Sequence, residues 1–144
     1  MSKSILVISG PNLSRLGSRE PDIYGAEDYN ALVSLVQKTA NEFGVKVEVR
    51  QSNSESELIS WLHLAADAKT DVVINPAAFT HYSYALRDAV AIATSSGVKV
   101  VEVHISNPHA RETFRHNSVI SGVSTGVIAG FGLNSYVLAL KALL

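Results

Sequence analysis

Two patterns of apolar residues alternate along this sequence. Short β-branched runs, which predict strands, lie at 5–9, 45–50, 71–74, 98–105 and 126–129. Apolar residues at helical spacing predict helices at 28–43, from 54 onward, at 80–96, around 110–114 and at 133–143. Strands that alternate with helices are typical of βαβ units and a parallel sheet. We therefore predict a single α/β domain over residues 1–144, with five parallel strands.

Residues at the predicted helix ends support these boundaries. Asp28 is a candidate N-cap and Gly44 a C-terminal stop, while Ser54 with Glu57 three positions later resembles a capping box. Five strands, alternating helices and right-handed crossovers predict a flavodoxin-like, doubly wound three-layer sandwich. In such sheets, ligands bind beyond the carboxyl ends of the strands. Polar residues at those ends are therefore candidates for a site.

Three predicted strands end at an asparagine that stands next to a proline. The asparagines are Asn12, Asn75 and Asn107. Turn formation explains each pair taken alone, because both residue types favour turns. Three such polar turns at one edge of the sheet favour a cleft for a small polar ligand.

The connection between the first strand and the first helix, residues 10–25, is far longer than the usual βα loop of roughly two to six residues. We expect it to form a lid. It carries Arg15, Arg19 and Tyr24. A tyrosine hydroxyl is a poor base at neutral pH, but nearby cations stabilise its anion, so Arg19 with a second arginine would make Tyr24 a usable base. A packed tyrosine beside solvated arginines explains the same residues equally well.

Glu102 and His104 share one face of the fourth predicted strand, because side chains alternate between the two faces of a strand. The carboxylate can therefore orient or charge the imidazole. A histidinium beside Ser106, at the carboxyl end of the strand, is placed to donate a proton to a leaving oxygen. A buried histidine satisfied by a neighbouring acid is the alternative, although an acid in an inner strand is costly to bury without a use.

Further polar residues fall near the same edge. Asn75 and His81 lie where the third helix is predicted to begin, and the exposed N–H groups of a helix start attract anions. With Arg111 and Arg115 after the fourth strand, they predict a ligand that carries a carboxylate or several hydroxyls. No cluster of His, Asp and Glu has the spacing of metal ligands, so we predict no metal site.

Composition narrows the possible partners. The 144 residues carry 12 Lys+Arg, 13 Asp+Glu and a net charge of −1, so neither nucleic acid nor a membrane is an expected partner. The chain has no Cys, which excludes thiolate chemistry and fits a reducing compartment. The start of the sequence lacks a signal-peptide pattern, so we expect a cytoplasmic protein. Charged residues make up 17%, below an average of about 25%, which favours self-association.

A series of short motifs extends along nearly the whole chain. They are Gly-Pro-Asn-Leu at 10–13, Leu-Gly at 16–17, Arg-Glu-Pro at 19–21, Ile-Tyr-Gly at 23–25, Gln-Ser-Asn at 51–53, Asn-Pro at 75–76, Thr-His at 80–81, Ala-Leu-Arg-Asp at 85–88, Glu-Val-His-Ile-Ser-Asn at 102–107, Arg-Glu at 111–112, Phe-Arg at 114–115 and Gly-Phe-Gly at 130–132. In these motifs the chain closely resembles the type II 3-dehydroquinate dehydratases, lyases of the shikimate and quinate pathways.

The resemblance implies anti elimination of water from 3-dehydroquinate to 3-dehydroshikimate, through an enolate and without a metal, a Schiff base or a cofactor. Tyr24 would take the proton next to the ketone, and Arg19 would keep Tyr24 anionic. Asn12 would stabilise the enolate by orienting a water, because a developing charge needs a preset donor. His104, oriented by Glu102, would protonate the departing hydroxyl. Aromatic amino acid biosynthesis and quinate catabolism both use this reaction.

The resemblance also implies which residues bind substrate and how subunits assemble. Residues that would bind the substrate's hydroxyls and carboxylate are Asn75, His81, Ile105, Ser106 and Arg115. Arg111 is similar to a family arginine near the base. Family members form trimers, four of which make a dodecamer, and the residue matching Asp88 reaches a neighbouring subunit's site. A surface acid paired with a neighbouring arginine is the alternative for Asp88, which follows His81 by two turns of the predicted helix.

The chain departs from the family pattern at a few positions. Ser14 and Arg15 replace the usual Asn-Leu, Ser54 and Ser56 stand where His and Gly are frequent, and Phe79 stands where Tyr or another aromatic is usual. None of these departures removes a proposed catalytic group. Arg15 adds a cation to the lid, which bears on loop dynamics and inhibitor preference.

A non-enzymatic flavodoxin-like binding module is the alternative function. A phosphoacceptor receiver domain needs an acidic cluster at the ends of the first and third strands, where this chain has Ser9 and Asn75. A flavin-binding electron carrier needs a phosphate loop rich in Ser and Thr after the first strand. Here that loop begins Gly10-Pro11-Asn12.

Overall fold

A computed structural model describes residues 3–18, 20–24 and 27–144 of the chain, and only the backbone of Pro21 and Tyr24. The main elements are β1 (Ser4–Ser9), α1 (Pro21–Tyr24), α2 (Tyr29–Phe43), β2 (Lys46–Gln51), α3 (Glu55–Ala68), β3 (Asp71–Asn75), α4 (Tyr84–Ser95), β4 (Val100–His104), β5 (Gly126–Ala129) and α5 (Asn134–Ala142). Short 3-10 helices lie at Leu13–Arg15, Ala77–His81, Pro108–Ala110, Thr113–His116 and Ser121–Val123.

The five strands form one sheet in the order β2-β1-β3-β4-β5, and every neighbouring pair is parallel. The chain winds outward in one direction from β1 to β2 and then in the other from β3 to β5. This arrangement confirms the predicted doubly wound, flavodoxin-like fold. The reversal of strand order lies between β1 and β3, whose last residues, Ser9 and Asn75, face each other in register.

Alternation along the inner strands divides the core into two layers. On β1, Leu6 and Ile8 pack with the apolar faces of α3 and α4, whereas Ile5 and Val7 pack with those of α2 and α5. All four side chains are buried. Helices therefore cover both faces of the sheet, as expected for parallel strands that are apolar on both sides.

The helix ends follow the predicted caps. Oδ1 of Asp28 accepts a hydrogen bond of 2.8 Å from the amide of Ala31, and Gly44 ends α2 with φ of 69°, in the left-handed region. Ser54 caps α3 by accepting from the amide of Glu57. The second hydrogen bond of a capping box, from the amide of Ser54 to the carboxylate of Glu57, does not form. The carboxylate of Glu57 accepts from the hydroxyl of Ser52 instead.

Two helix predictions were wrong in their boundaries. The helix predicted at 80–96 begins only at Tyr84, because the hydroxyl of Ser83 accepts from the amide of Leu86 and caps α4 there. Residues before it form the separate 3-10 helix Ala77–His81. The helix predicted around 110–114 is replaced by two 3-10 helices, Pro108–Ala110 and Thr113–His116.

Within the described part of the chain, no helix is long and apolar enough to cross a membrane.

Candidate active site

A cleft opens at the carboxyl ends of β1, β3 and β4. Its volume is about 530 Å³ when the part that is open to solvent is included. The cleft is lined by Pro11, Asn12, Leu13, Asn75, Ala77, Ala78, His81, His104, Ile105, Ser106, Pro108, Arg111 and Arg115. The asparagine turns after β1 and β3 therefore meet at one site, as their position in the sequence predicts. Asn107 does not line this cleft, although its neighbours do.

Gly10 brings two of these turns together. Its amide donates a hydrogen bond of 2.8 Å to the carbonyl of Asn75, across the gap between β1 and β3. A Cβ atom at this position would lie 2.8 Å from the carbonyl oxygen of Pro76, closer than packed atoms allow. Glycine is therefore required here for the close approach of the two strand ends.

Asn12 is held in place through its backbone. It adopts a left-handed conformation, with φ of 70°, which asparagine tolerates better than most residues. Its amide donates to Oδ1 of Asn53 at 3.0 Å. Nε2 of Gln51 donates both to that same oxygen and to the carbonyl of Gly10. The segment that follows β2 thus fixes the turn that follows β1.

The side chain of Asn75 is oriented on both sides. Its Oδ1 accepts from the amide of Ala77 at 3.0 Å, and its Nδ2 donates to the hydroxyl of Tyr136 at 3.0 Å. Tyr136 is fully buried, and its hydroxyl also lies 3.0 Å from Oγ of Ser9. Burial raises the pKa of Tyr136 to about 12, against the opposing effect of these hydrogen bonds, so the hydroxyl stays protonated.

Glu102 and His104 form an acid–base pair on β4. Oε2 of Glu102 lies 2.5 Å from Nε2 of His104, which confirms that the two side chains share a face. Glu102 has no solvent exposure. Burial alone would raise the pKa of its carboxyl, but hydrogen bonds from His104, Ser121 and Thr80 and the charge of the imidazolium outweigh burial and lower it. Glu102 is therefore held as a carboxylate.

His81 and Arg115 provide further polar groups in the lining of the cleft. Nδ1 of His81 lies 2.8 Å from the carbonyl of Asn117, so this nitrogen carries the proton and donates. Burial lowers the pKa of His81, and the nearby charges of Arg115 and His104 add to this effect against the opposing hydrogen bond to Asn117. A neutral His81 therefore presents Nε2 as a hydrogen-bond acceptor. Arg115 also lines the cleft, and it donates through Nε to Glu112 at 3.0 Å.

Arg111 connects the cleft to the second half of the predicted lid. Its Nη1 donates to Oγ of Ser106 at 3.3 Å, and its Nη2 lies 3.5 Å from Oε2 of Glu20. The carboxylate of Glu112 lies 3.8 Å from its Nε. The side chain of Arg111 is mostly buried, with 9% exposure.

The described part of the predicted lid is ordered into short elements. Leu13 and Leu16 are buried in the core beside α2, so they anchor its first half. Tyr24 ends α1, but its side chain lies outside the description, and Arg19 lies outside the described residues altogether.

Two placements differ from the predictions. Asn75 and His81 do not lie at the start of an α-helix, because Asn75 precedes the 3-10 helix Ala77–His81, His81 ends it, and α4 begins only at Tyr84. The predicted placement at the start of the third helix was therefore wrong. For the same reason His81 and Asp88 do not share one helix. Asp88 lies outside the cleft on the exposed side of α4, where its carboxylate pairs with Arg87 at 2.9 Å.

Several residues that shape the site were not predicted. Tyr136 and Asn53 orient Asn75 and Asn12, which line the cleft. Thr80, Ser118 and Ser121 surround the carboxylate of Glu102. Of these residues, only Asn53 and Thr80 belong to motifs noted in the sequence, at 51–53 and 80–81, and neither was given a role. Among the described residues, no group of three or more His, Asp or Glu side chains is arranged to hold a metal ion.

Comparison with known proteins identifies the family. The sequence model described as Dehydroquinase class II matches residues 3–144. A protein from Salinispora arenicola named 3-dehydroquinate dehydratase is 55% identical over 94% of this chain and 93% of its own. Another of that name, from Mycobacteroides abscessus, is 56% identical over 96% and 94%. The crystal structure of the type II dehydroquinase from Propionibacterium acnes superposes with a TM-score of 0.95 at 52% identity, covering 99% of this chain and 97% of that one. The chain therefore belongs to the class II dehydroquinase family.

Proposed function

We propose that this chain removes water from 3-dehydroquinate to give 3-dehydroshikimate by acid–base catalysis. The observation that carries the proposal is the pairing of His104, which lines the cleft, with the fully buried carboxylate of Glu102. A buried carboxylate with a lowered pKa beside an imidazole is the arrangement that a protonated general acid needs. The names of the relatives support this choice of substrate.

His104 protonates the leaving hydroxyl. Its Nε2 is engaged by Glu102, so Nδ1 is the ring nitrogen that can deliver a proton to a ligand. As the carbon–oxygen bond breaks, the electron pair leaves with the oxygen and takes the Nδ1 proton, which yields water. The carboxylate of Glu102 stabilises the imidazolium before this transfer.

Tyr24 is the base, and Arg19 keeps it anionic. The support is the order of the motifs at 19–21 and 23–25, within a connection whose first half is anchored in the core by Leu13 and Leu16. The phenolate takes the proton from the carbon next to the ketone, and an enolate forms. The enolate then expels the hydroxyl, and the proton held by Tyr24 returns to His104 through solvent for the next cycle.

Asn12 stabilises the enolate through an oriented water. Its backbone is already fixed by Asn53 before substrate binds, which suits a donor that must be in place when charge develops. No step in this scheme is assigned to a metal or a cofactor, because each proton has a donor and an acceptor on the protein or the substrate.

The remaining residues bind the substrate. Arg115 and Arg111 supply positive charge for its carboxylate region and for the area near the base. Nδ2 of Asn75 retains one hydrogen, His81 presents Nε2, and Ser106 presents its hydroxyl beside the backbone of Ile105. This set of single donors and acceptors matches a ligand with several hydroxyls.

The active form is a dodecamer of four trimers, in which Asp88 completes a neighbouring subunit's site. On and beside α4, large apolar side chains are exposed in the single chain: Tyr82 is 59%, Tyr84 69% and Ile92 51% exposed. Asp88 lies on the same helix and is largely exposed. Such a surface is typical of an interface between subunits.

Location in the cytoplasm stays a prediction from the sequence pattern.

The direct test is the ultraviolet absorbance of the enone product when the purified protein is mixed with 3-dehydroquinate. We expect absorbance to rise at a rate proportional to enzyme concentration, and treatment with borohydride during turnover to leave no covalent adduct. Absence of the signal at high enzyme concentration would refute the proposed function. A covalent mass increase after borohydride would refute the enolate route and leave the reaction itself standing.

A further inference from the structure

Three hydroxyl groups surround the carboxylate of Glu102 in addition to His104. Thr80 Oγ1 lies 2.5 Å from Oε2, and Ser121 Oγ lies 2.6 Å from Oε1. Ser118 Oγ lies 3.5 Å from Oε2 and only 2.6 Å from the hydroxyl of Thr80. These residues come from the 3-10 helix Ala77–His81 and from the segment that precedes β5, so only the fold brings them to β4.

The backbone determines which way these hydroxyls point. The oxygen of Ser118 accepts hydrogen bonds from the amides of Ile120, at 3.1 Å, and Ser121, at 3.0 Å. A hydroxyl oxygen has two lone pairs, and both are used here. Ser118 must therefore donate its proton, and the near acceptor is the hydroxyl oxygen of Thr80.

The same reasoning carries over to Thr80. Its oxygen accepts from Ser118, so its own proton points at Oε2 of Glu102. Ser121 donates to the other carboxylate oxygen. The protons of Thr80 and Ser121 thus point at Glu102, while that of Ser118 points at Thr80 and holds the Thr80 proton in this direction. The arrangement suits a carboxylate that only accepts and opposes a protonated acid that must donate.

The direction of these hydrogen bonds also determines which nitrogen of His104 carries a proton. Since Glu102 can only accept, Nε2 of His104 must carry a proton and donate it to Oε2. The proton delivered to a leaving group can then only be the one on Nδ1. After delivery the neutral ring is left with its proton on Nε2.

We propose that Thr80, Ser118 and Ser121 are positioning residues that keep Glu102 an acceptor and thereby assign proton delivery to Nδ1 of His104. The proposal rests on the proposed function for the reaction it serves. The other titratable or charged groups around the cavity beside Glu102 are His81, His109, Arg115 and His116. None of them donates a hydrogen bond to Glu102 among the bonds of the described residues.

The kinetic test compares Thr80→Val with Thr80→Ser. Valine matches the shape of threonine and removes the hydroxyl, whereas serine keeps it. For Thr80→Val we expect kcat to fall at least about 10-fold with KM little changed, because a hydrogen bond to a charged group is lost. Thr80→Ser should retain most of the activity. Ser121→Ala is the second variant should Thr80→Val not fold, with the same expectation.

A substrate analogue separates proton delivery from general damage. Replacing the leaving hydroxyl of 3-dehydroquinate by fluoride gives a group that departs without being protonated. With this analogue, Thr80→Val should lose much less activity than with the natural substrate. Equal losses on both substrates, or no loss on either, would overturn the positioning role.

A measurement without turnover keeps the inference separate from the proposed function. In protein labelled with ¹⁵N-histidine, the nitrogen shifts of neutral His104 should show the proton on Nε2 in the wild type, and Thr80→Val should increase the share of the Nδ1–H form. A wild-type ring protonated on Nδ1 would contradict the inference, even if the enzyme dehydrates 3-dehydroquinate. If the wild type shows the Nε2–H form but no activity, the proposed function fails and the inference about the ring remains.

Discussion

Nδ2 of Asn75 and the hydroxyl of Tyr136 lie 3.0 Å apart, although 61 positions separate them in the chain. Asn75 ends β3 in the floor of the cleft, and Tyr136 belongs to α5 on one face of the sheet. A buried side chain of the core therefore sets the direction of an amide in the site. The hydroxyl of Tyr136 also contacts Ser9, so one residue connects the ends of β1 and β3.

Tyr136→Phe should weaken both folding and substrate binding. The substitution leaves Nδ2 of Asn75 and the hydroxyl of Ser9 buried without this partner, which costs roughly 1–3 kcal/mol in the free energy of unfolding. KM should rise because Asn75 is free to rotate. Urea unfolding and steady-state kinetics measure the two effects. The control is Tyr29→Phe, since the hydroxyl of Tyr29 makes no hydrogen bond to a described residue; equal effects of both variants would argue against this role.

Asn53→Ala should lower kcat through Asn12. The variant removes the acceptor of the Asn12 amide and frees a turn whose left-handed backbone needs support. We expect a loss of about 10-fold, the effect of one well-placed hydrogen bond. Asn30→Ala, on the exposed face of α2, is the matched control. Unchanged kinetics of Asn53→Ala would show that the turn holds its shape alone.

Tyr24→Phe and Arg19→Ala should each reduce turnover by at least about 100-fold, the lower range for an acid–base group. The phenylalanine ring cannot accept a proton, and without Arg19 the tyrosine stays protonated near neutral pH. Initial rates of enone formation measure the loss. Lys38→Ala, at an exposed position on α2, controls for loss of a surface cation. Near-normal activity in either lid variant would reject the role of that residue.

His104→Ala should lose at least about 100-fold in kcat with 3-dehydroquinate. The fluoride analogue should restore much of the lost rate, because fluoride leaves without a proton. His63→Ala, on the exposed side of α3, provides the control. A loss that is as large with the analogue as with the natural substrate would mean that His104 binds the substrate and does not protonate it.

Folding stability should fall in two steps on acidification. Burial lowers the pKa of His81 below its ordinary 6.5, so the unfolded chain binds the proton more readily and stability declines as the pH falls below 6.5. The lowered pKa of Glu102 adds a second loss as the pH falls below 4.5. Unfolding in urea across this pH range shows both steps. His81→Gln should flatten the first, and an unaltered slope between pH 6.5 and 4.5 would contradict this assignment.

Local rules accounted for most of the elements. Asp28, Gly44 and Ser54 end or begin helices through bonds to residues no more than four positions away, so short patterns suffice to locate them. The start of α4 could not be located in this way. Ser83 and residues 77–81 offer competing local hydrogen bonds, and the choice between a helix from residue 80 and a cap at Ser83 depends on what the surrounding segments contact.

The sequence by itself determined the parallel sheet, the polar turns at its carboxyl edge and the pairing of Glu102 with His104, because strand alternation is a local property of the backbone. Tertiary structure alone decided which partners orient these groups. Tyr136, Asn53 and Ser118 reach the site from other elements, and their hydrogen bonds require angles and distances that only the packing of those elements sets. The same packing places Asp88 outside the cleft of its own chain. Helix α4 begins only after a separate 3-10 helix, and the carboxylate of Asp88 lies on its exposed side.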